Sequence, residues 1–291
     1  MSNQTTVLIT GSGGFLGRRL VPFLAGQGYR VMAASRTAAT FEIPNVVPVR
    51  LNDLSLPFDW KPLLQQCDAI VHLAGIAHTT SDNESYDRVN HQATEALARD
   101  AFCCGTHLVF ISSIAAQCGT RSDHDLTEDD PPTPSNAYGR SKLAAEQAVR
   151  ASGASFTILR PVLIYGEGVK GRLGLVRNIS RLPIPLPLGA LTAQRSFLSV
   201  QNFNSGVKLA LTNVGARGEI FILSDPTPQT IPDVVARYRA TLGRPPRLIP
   251  IPERWVELSL KAIGQTAAWE RIGCRLVAPP RKLLALGWDP S

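Results

Sequence analysis

Short apolar runs alternate with segments of helical periodicity through the first half of the chain. An apolar run bounded by turn residues predicts a buried strand, and apolar residues recurring every three or four positions predict an amphipathic helix. Strands separated by helices form parallel sheets that are covered on both faces. The pattern therefore predicts an α/β fold with a doubly wound parallel sheet. The predicted strands cover 6–10, 30–34, 46–50, 69–73, 107–112 and 155–160, and the predicted helices cover 15–27, 86–103 and 138–152.

The pattern changes after Pro161, where Gly, Pro and Arg become frequent over residues 165–190. Strand character returns at 219–224, and helices are predicted at 231–242 and 253–263. We interpret this organisation as a larger domain and a smaller, discontinuous C-terminal domain, whose shared cleft we expect to bind substrate. The predicted boundaries place 1–164 and 197–224 in the larger domain and 165–196 and 225–291 in the smaller one.

The composition predicts a folded chain without a membrane span. Of the 291 residues, 44% are hydrophobic and 18% are charged, which is typical of globular proteins. No apolar run approaches the roughly 18 residues that a span needs, and the first residues, MSNQTT, do not resemble a signal peptide. The five cysteines form no CxxC pair and share no ligand spacing with the five histidines. We therefore expect a reducing compartment, the cytoplasm, and no metal site.

The formal charge of +7 is compatible with nucleic acid, an anionic membrane surface or an anionic small molecule as partner. No dense block of Lys and Arg occurs, which argues against a nucleic-acid groove. Most of the 30 cations are expected to be solvated surface residues.

A glycine-rich loop, TGSGGFLG at residues 10–17, follows the first predicted strand and opens the first predicted helix. Gly11 permits the tight turn, Gly14 lets the backbone approach a pyrophosphate, and Gly17 lets the helix pack closely. A helix N-terminus offers unpaired N–H groups and a positive dipole end to phosphates. The order of strand, glycine loop and helix predicts a dinucleotide site.

The residues after the second strand indicate which dinucleotide is expected. An acidic residue commonly binds the ribose hydroxyls there, whereas this chain has Ser35 followed by Arg36. Because arginine suits phosphate recognition, the pair favours NADP slightly over NAD. Asp53, after the third strand, is predicted to accept a hydrogen bond from the adenine amino group. His72 is expected to be structural, because its strand is buried.

Tyr138 and Lys142 stand four residues apart in YGRSK, so their side chains share one face of a helix. Chemistry at a carbinol or ketone needs a proton donor or acceptor that works near neutral pH. An adjacent ammonium lowers the pKa of tyrosine from its usual value of about 10. Ser113 follows the fifth strand, at the sheet edge that faces the ligand crevice, and can hold the reacting oxygen. These three residues form the predicted catalytic group.

Together these motifs resemble the extended short-chain dehydrogenase/reductase family, of the NAD-dependent epimerase/dehydratase type. The matching segments are TGSGGFLG at 10–17, HLAG at 72–75, SS at 112–113, YGRSK at 138–142 and RPVLIYGEG at 160–168. The resemblance implies a Rossmann-type domain and the catalytic roles given above. It also implies that Asn90 and the Arg160–Tyr165 segment, which includes Pro161, border the cofactor. The predicted cofactor-binding residues are Gly11, Gly14, Phe15, Leu16, Gly17, Ser35, Arg36, Asp53, Leu54, Leu73, Ala74, Gly75, Asn90, Tyr138, Lys142 and Pro161.

Within that family the chain is similar to the branch of nucleotide-sugar 4-epimerases and 4-ketoreductases. NAYGRSKLAAE at 136–146 and QRSFLSV at 194–200 carry the similarity. Arg195 matches the family position that contacts the substrate diphosphate, a task suited to a guanidinium. The other interpretation of Arg195 is a structural ion pair. Ser113 is the second predicted substrate-binding residue, and the resemblance also implies a homodimer.

Two departures from the family pattern favour one reaction. Dehydratases of this type carry an Asp-Glu pair after the catalytic Ser or Thr, whereas Ser113 is followed by Ile114 and Ala115, which argues against dehydration. The Ser35–Arg36 pair departs from the Asp typical of epimerases that hold NAD tightly. We therefore expect a 4-ketoreductase using exchangeable NADPH on a nucleotide-linked 4-keto sugar. The alternative is a C4-epimerase that retains NAD.

Two further hypotheses stay open at this point. A non-catalytic regulator that binds the dinucleotide would not need the Tyr–Lys pair. A hydroxysteroid or flavonoid-like alcohol would not explain the cations of the 166–195 segment, which favour an anionic substrate. Those cations are Arg172, Arg177, Arg181 and Arg195.

Overall fold

A computed structural model describes residues 4–37, 41–77, 82–165 and 180–291. The described strands are β1 (Thr6–Thr10), β2 (Arg30–Ser35), β3 (Val46–Arg50), β4 (Ala69–His72), β5 (His107–Ile111), β6 (Phe156–Pro161), β7 (Leu163–Tyr165), β8 (Phe197–Ser199) and β9 (Glu219–Leu223). Seven of them form one parallel sheet in the order β3-β2-β1-β4-β5-β6-β9, and β7 pairs with β8. The predicted α/β fold with a Rossmann-type parallel sheet is confirmed.

Helices connect most of the strands. The described helices are α1 (Gly17–Gly26), α2 (Lys61–Leu64), α3 (Asn83–Tyr86), α4 (Ala93–Cys104), α5 (Ala137–Ala151), α6 (Val200–Thr212), α7 (Ile231–Thr241), α8 (Glu253–Ala262), α9 (Thr266–Ile272) and α10 (Arg281–Ala285). A π-helical turn, Asp87–Gln92, joins α3 to α4, and 3-10 turns cover Ile114–Ala116 and Val214–Ala216. Among the described helices, none is both long enough and apolar enough to cross a membrane.

Successive residues of a strand point to opposite faces of the sheet, and in this sheet both faces are buried. Val7 and Ile9 of β1 belong to a buried cluster that includes Phe203 of α6, and α1 covers the same face. Leu8 belongs to a second buried cluster, which includes Leu97 of α4 and residues of α5. Helices therefore cover both faces, as the continuous apolar strands require.

The strand order places a switch point beside β1. The chain runs outward through β2 to β3 and then returns to β4 on the other side of β1. In register, Thr10 at the end of β1 lies between Ala34 of β2 and His72 of β4. Open α/β sheets bind ligands at the carboxyl ends of strands that flank such a switch point.

The C-terminal elements have an apolar cluster of their own, which includes Leu186, Leu191, Val235 and Trp269. Within it, the buried guanidinium of Arg239 donates to several main-chain carbonyl groups of residues 180–184 and 246–247. This separate cluster is compatible with a second domain, although the predicted domain boundaries stay a prediction.

Most predicted elements agree with the structure. The strands at 6–10 and 46–50 are observed as predicted, and the others differ by one residue at one or both ends. The helix predicted at 86–103 is instead built from α3, the π-helical turn and α4. Helix α6 was not predicted because poor helix formers, NFNSG at 202–206, occupy its middle. Its stability comes from packing of Phe203 and Val207 into the core.

Candidate active site

The glycine loop between β1 and α1 has the geometry that a dinucleotide phosphate needs. Gly11 has a φ of 70°, and a Cβ there would lie 2.9 Å from the main-chain nitrogen of Ala74. The Gly14 N–H donates to the Gly11 carbonyl oxygen (2.9 Å), and Gly17 begins α1. The Ser12 hydroxyl is buried without a hydrogen-bond partner among the described residues. The loop thus presents bare backbone and a helix N-terminus, which fit a pyrophosphate.

The other two predicted loop residues point into apolar surroundings. Phe15 packs against the C-terminal apolar cluster, and Leu16 packs against the cluster on the α1 face of the sheet. Phe15 thereby connects the glycine loop to the C-terminal elements. Contact of either side chain with a cofactor stays a prediction.

The ends of β2 and β3 hold the residues predicted to bind the adenosine half. Ser35 is buried and its hydroxyl donates to the Thr37 carbonyl oxygen (2.7 Å), whereas Arg36 is exposed. Asp53 accepts a hydrogen bond from the Ser55 N–H (3.0 Å). Hydrogen bonds from Ser55, with a smaller contribution from Arg36, hold the pKa of the Asp53 carboxyl below its usual value. Asp53 therefore stays ionised near Arg36, and the neighbouring Leu54 is buried.

The segment after β4 approaches both the glycine loop and α5. Leu73 and Ala74 are half-buried, and the Ala74 N–H donates to Thr10 Oγ1 (3.2 Å). A Cβ at Gly75 would lie 2.8 Å from Asn90 Oδ1 and 3.6 Å from Lys142 Nζ. The absence of a side chain at Gly75 therefore allows the end of β4, Asn90 and Lys142 to converge.

Asn90 is fully buried in the π-helical turn Asp87–Gln92. Its Oδ1 accepts from the Ile76 N–H (2.8 Å), and its Nδ2 donates to the Ile76 carbonyl oxygen (3.0 Å) and to Ser141 Oγ (3.0 Å). Asn90 thus joins the segment after β4 to α5. π-helical turns are frequent at functional sites. Ser141 was not predicted, although it lies beside Lys142 in the YGRSK motif.

The first turn of α5 rests on the turn that follows Ser113. Asn136 caps α5 by accepting from the Gly139 N–H (2.8 Å), and a Cβ at Gly139 would lie 2.2 Å from the Ala115 carbonyl oxygen. Ser113 Oγ accepts from the Ala115 N–H (3.1 Å), so its O–H can still donate to a ligand oxygen. Tyr138, half-buried next to Gly139, is therefore brought to the same turn as Ser113.

Lys142 is almost completely buried, with 5% of its surface exposed. Its Nζ donates to the Ile111 carbonyl oxygen (2.8 Å) and lies 4.6 Å from the ring centroid of Phe110. Burial lowers the pKa of Lys142 to about 8, while the charge of Glu146 acts in the opposite direction. A buried ammonium one helical turn from Tyr138 can stabilise negative charge on the phenol oxygen.

Glu146, one turn further along α5, anchors this helix to the sheet. It is 1% exposed and accepts from Arg160 of β6 at Nε (3.0 Å) and Nη2 (2.6 Å). Its Oε1 also accepts a hydrogen bond from the Ser112 hydroxyl. The pair was not predicted from the sequence. The sequence signal that could have indicated Glu146 is its spacing of four residues from Lys142, which places both side chains on one face of α5.

His72 is completely buried, as its strand context predicts. Its Nδ1 lies 2.8 Å from Thr10 Oγ1, and burial lowers its pKa to about 3, with a smaller effect of the Lys142 charge. The ring stacks on Phe110 at a centroid distance of 6.0 Å. His72 is therefore a neutral residue that packs against Phe110, the ring over which Lys142 Nζ lies.

Arg195 occupies a structural position. Its guanidinium is 7% exposed and donates to the carbonyl oxygens of Thr120 (3.2 Å), Glu270 (3.2 Å) and Cys274 (2.5 Å). Because these partners are carbonyl groups, the alternative interpretation of Arg195 as a structural ion pair is wrong. The guanidinium joins the segment of Thr120 to the end of α9. Contact of Arg195 with a diphosphate stays a prediction.

The remaining predicted residues are Pro161 and the other arginines of the 166–195 segment. Pro161 is buried at the carboxyl end of β6, where it pairs with Leu223 of β9. Arg181 is exposed, whereas Arg172 and Arg177 lie outside the described residues. Within residues 4–37, 41–77, 82–165 and 180–291, no cluster of three His, Cys, Asp or Glu side chains could hold a metal ion.

The lowered pKa of Lys142 predicts a pH dependence. If catalysis needs the ammonium, kcat/KM falls as the pH rises through about 8, since kcat/KM reports groups of the free enzyme. The measurement is a pH profile of kcat/KM for the wild type and for Lys142→Arg, whose guanidinium stays charged. The variant should lose this alkaline limb. An alkaline limb unchanged in Lys142→Arg would assign the titration to another group.

The chain is similar in sequence to known proteins along most of its length. A model of the family described as "NAD dependent epimerase/dehydratase family" matches residues 7–223. A UDP-glucose 4-epimerase of Vibrio cholerae is 29% identical over 98% of this chain and 90% of that protein. A ceramide reductase of Caulobacter vibrioides is 31% identical over 98% of this chain and 86% of that protein.

Solved structures share the fold. The crystal structure of a UDP-glucuronic acid 4-epimerase from Bacillus cereus in complex with NAD superposes with a TM-score of 0.74. The alignment covers 99% of this chain and 94% of that one at 19% identity. The WbmG enzyme of Bordetella bronchiseptica in complex with NAD gives a TM-score of 0.75 at 18% identity, over 100% and 90% of the two chains. At such identities the likeness establishes the fold alone.

Proposed function

The chain belongs to the NAD dependent epimerase/dehydratase family, and on this premise we propose that it is an oxidoreductase acting at C4 of a nucleotide-activated sugar. The family match bears out the family assigned from the motifs at residues 10–17 and 138–142. Within this chemistry we propose a 4-ketoreductase, which converts a 4-keto sugar to the secondary alcohol.

The observation that carries the proposal is that the segments bearing Asn90, Lys142, Tyr138 and Ser113 meet at one edge of the sheet. Gly75 lies against both Asn90 and Lys142, and the close approach of Gly139 to Ala115 brings Tyr138 to the turn of Ser113. The glycine loop also lies at this edge, because it begins where β1 ends. A phenol, a buried ammonium and a hydroxyl beside a dinucleotide loop are the groups that reduction of a ketone needs.

The roles follow from the groups themselves. When bound, the reduced dinucleotide supplies a hydride to the carbonyl carbon. Ser113 donates a hydrogen bond to the carbonyl oxygen, and Tyr138 transfers its hydroxyl proton to that oxygen. Lys142 stabilises the phenolate that Tyr138 leaves behind. The ketone gains one hydride and one proton, and Tyr138 regains a proton from solvent.

A nucleotide-sugar substrate is supported by one of the two relatives. A protein named UDP-glucose 4-epimerase aligns along 98% of this chain, and so does a protein named ceramide reductase. The first name supports a nucleotide-sugar substrate, whereas the second supports a reduction and names a lipid substrate. The chain's charge of +7 also favours an anionic substrate over a neutral alcohol.

The choice of reductase over epimerase depends on the end of β2. Ser35 is buried and uncharged, and the exposed Arg36 is available to a 2′-phosphate. This combination suits NADPH that exchanges in each cycle. The second candidate, a C4-epimerase with retained NAD, is favoured by the similarity to the 4-epimerase of Vibrio cholerae. The cytoplasmic location and the homodimer stay predictions.

One assay separates the two candidates. The purified protein is mixed with NADPH and a UDP- or dTDP-linked 4-keto-6-deoxyhexose, and the reduced nicotinamide is followed by its absorbance. A reductase consumes one NADPH for each sugar reduced. Unchanged absorbance, together with conversion of UDP-glucose to its C4 epimer without added cofactor, would replace the reductase by the epimerase.

Arg36→Asp tests the cofactor choice. We expect the KM for NADPH to rise about 10- to 100-fold, because a charged hydrogen bond to phosphate is lost and a repulsion is added. The KM for NADH should change little. Steady-state kinetics with both cofactors measures the effect, and Arg99→Asp, an exposed residue on α4, is the matched control. Equal effects on NADPH and NADH would contradict the assigned role of Arg36.

A further inference from the structure

The exposed apolar side chains are concentrated in a short part of the chain. Of the thirteen large apolar side chains that are exposed among the described residues, seven lie in residues 181–187 and 242–263. These two segments are about a tenth of the chain, so the exposed apolar residues are concentrated in them. We call the surface of these two segments the C-terminal face. Its seven apolar residues are Leu182, Ile184, Leu242, Ile249, Trp255, Leu258 and Ile263.

Main-chain hydrogen bonds join the two segments of the C-terminal face. The Leu186 N–H donates to the Arg247 carbonyl oxygen (3.0 Å), and the Ile249 N–H donates to the Leu186 carbonyl oxygen (2.8 Å). Helix α8 begins four residues after Ile249, and its Glu253 accepts from the Thr192 N–H (2.8 Å). The helix and the paired segments are therefore held together in one part of the fold.

Helix α8 presents an apolar stripe outward. Trp255 and Leu258 are 54% and 57% exposed and stand three residues apart, and Ile263, at the end of the helix, is 70% exposed. Val256 points the other way, into the C-terminal apolar cluster. A helix with apolar residues on its solvent side and cations at the edge of that stripe is typical of one that lies in a membrane interface.

Cations stand among these apolar residues in the sequence. The two segments contain five Lys and Arg residues and only two Glu. Arg254 lies over the Trp255 ring at 5.7 Å from its centroid, and Lys261 pairs with Glu257 (2.6 Å). Five cations and two glutamates give the two segments a net charge of +3. The five cations are Arg181, Arg244, Arg247, Arg254 and Lys261, all exposed.

We propose that the C-terminal face binds the surface of an anionic lipid bilayer. Tryptophan and aliphatic side chains enter the interface, and arginine and lysine stems extend to the headgroup phosphates. A second copy of this chain is a poorer occupant, because a two-fold contact sets the same cations opposite each other. This binding is independent of the reaction that the active site performs.

Trp255 provides a direct spectroscopic test. The other three tryptophans, Trp60, Trp269 and Trp288, are buried, so Trp255 is the exposed one of the four. Vesicles of phosphatidylcholine with phosphatidylglycerol should shift its emission to the blue and sediment with the protein, and vesicles of phosphatidylcholine alone should not. Trp255→Phe should remove the shift. Absence of both the shift and co-sedimentation at low salt would overturn the proposal.

Matched variants assign the binding to the C-terminal face. Arg254→Gln combined with Lys261→Gln should weaken binding about 25-fold, or about fivefold per cation. The control is Lys61→Gln combined with Arg99→Gln, which removes two exposed cations outside the C-terminal face.

An apolar residue of the C-terminal face is tested in the same way. Leu258→Gln should weaken binding to the vesicles. Leu56→Gln should not, because Leu56, although 63% exposed, lies outside the C-terminal face. Equal losses in test and control variants would overturn the assignment. The proposal would also be overturned if the protein binds no vesicles and forms a dimer that Leu258→Gln dissociates.

Discussion

Tyr138→Phe is expected to lower kcat/KM by about 10²–10⁴-fold, the usual contribution of a positioned general acid. The fold should be retained, because the half-buried ring stays in place, with its centroid 6.2 Å from that of Tyr86. Only the proton donor is removed. The measurement is kcat/KM for reduction of the 4-keto sugar, accompanied by the midpoint of thermal unfolding.

Tyr86→Phe is the matched control for this variant. Its ring neighbours that of Tyr138, and the substitution likewise removes a single phenolic oxygen. We expect Tyr86→Phe to change kcat/KM by no more than a few-fold, since it is not one of the predicted catalytic groups. A loss in Tyr86→Phe as large as that in Tyr138→Phe would show that the hydroxyl of Tyr138 has no special role.

Glu146→Gln is expected to lower the free energy of unfolding by about 3–5 kcal/mol, because it leaves a buried guanidinium without its counter-ion. Glu146 and Arg160 have side chains that are 1% and 5% exposed, and two guanidinium nitrogens of Arg160 donate to the carboxylate. Urea unfolding, with the slope m checked for constancy, measures the change.

Two controls interpret that result. Glu84→Gln breaks an ion pair with Arg88 whose side chains are 72% and 43% exposed, and should cost less than about 0.5 kcal/mol. Replacing both buried partners, as Glu146→Leu with Arg160→Met, should recover part of the loss, since no charge is then left unpaired. A cost for Glu146→Gln no larger than that for Glu84→Gln would contradict the structural role of the pair.

Local patterns were enough to predict the sheet and much of the site. Continuous apolar runs such as TVLIT in β1 and HLVFI in β5 have few alternatives to buried strands. The glycine spacing after β1 and the four-residue spacing of Tyr138 and Lys142 are likewise local, so their positions could be read from the chain.

Long-range packing set the features that were not predicted. The ion pair of Glu146 with Arg160 joins α5 to β6, and the contact of Asn90 with Ser141 joins segments 51 residues apart. The guanidinium of Arg195 is surrounded by carbonyl groups more than 70 residues away in sequence. No periodicity or spacing encodes such partners, because they depend on how the elements pack in three dimensions.

We propose that Tyr138, Lys142 and Ser113 act together on a substrate beside the dinucleotide. The most direct measurement uses NADPH deuterated at the transferable position of the nicotinamide and mass spectrometry of the sugar product. The wild type should place one deuterium on the reduced carbon, and Tyr138→Phe, although it still binds NADPH, should transfer almost none in the same time. Transfer by Tyr138→Phe at the wild-type rate, or a product without deuterium from the wild type, would contradict the account.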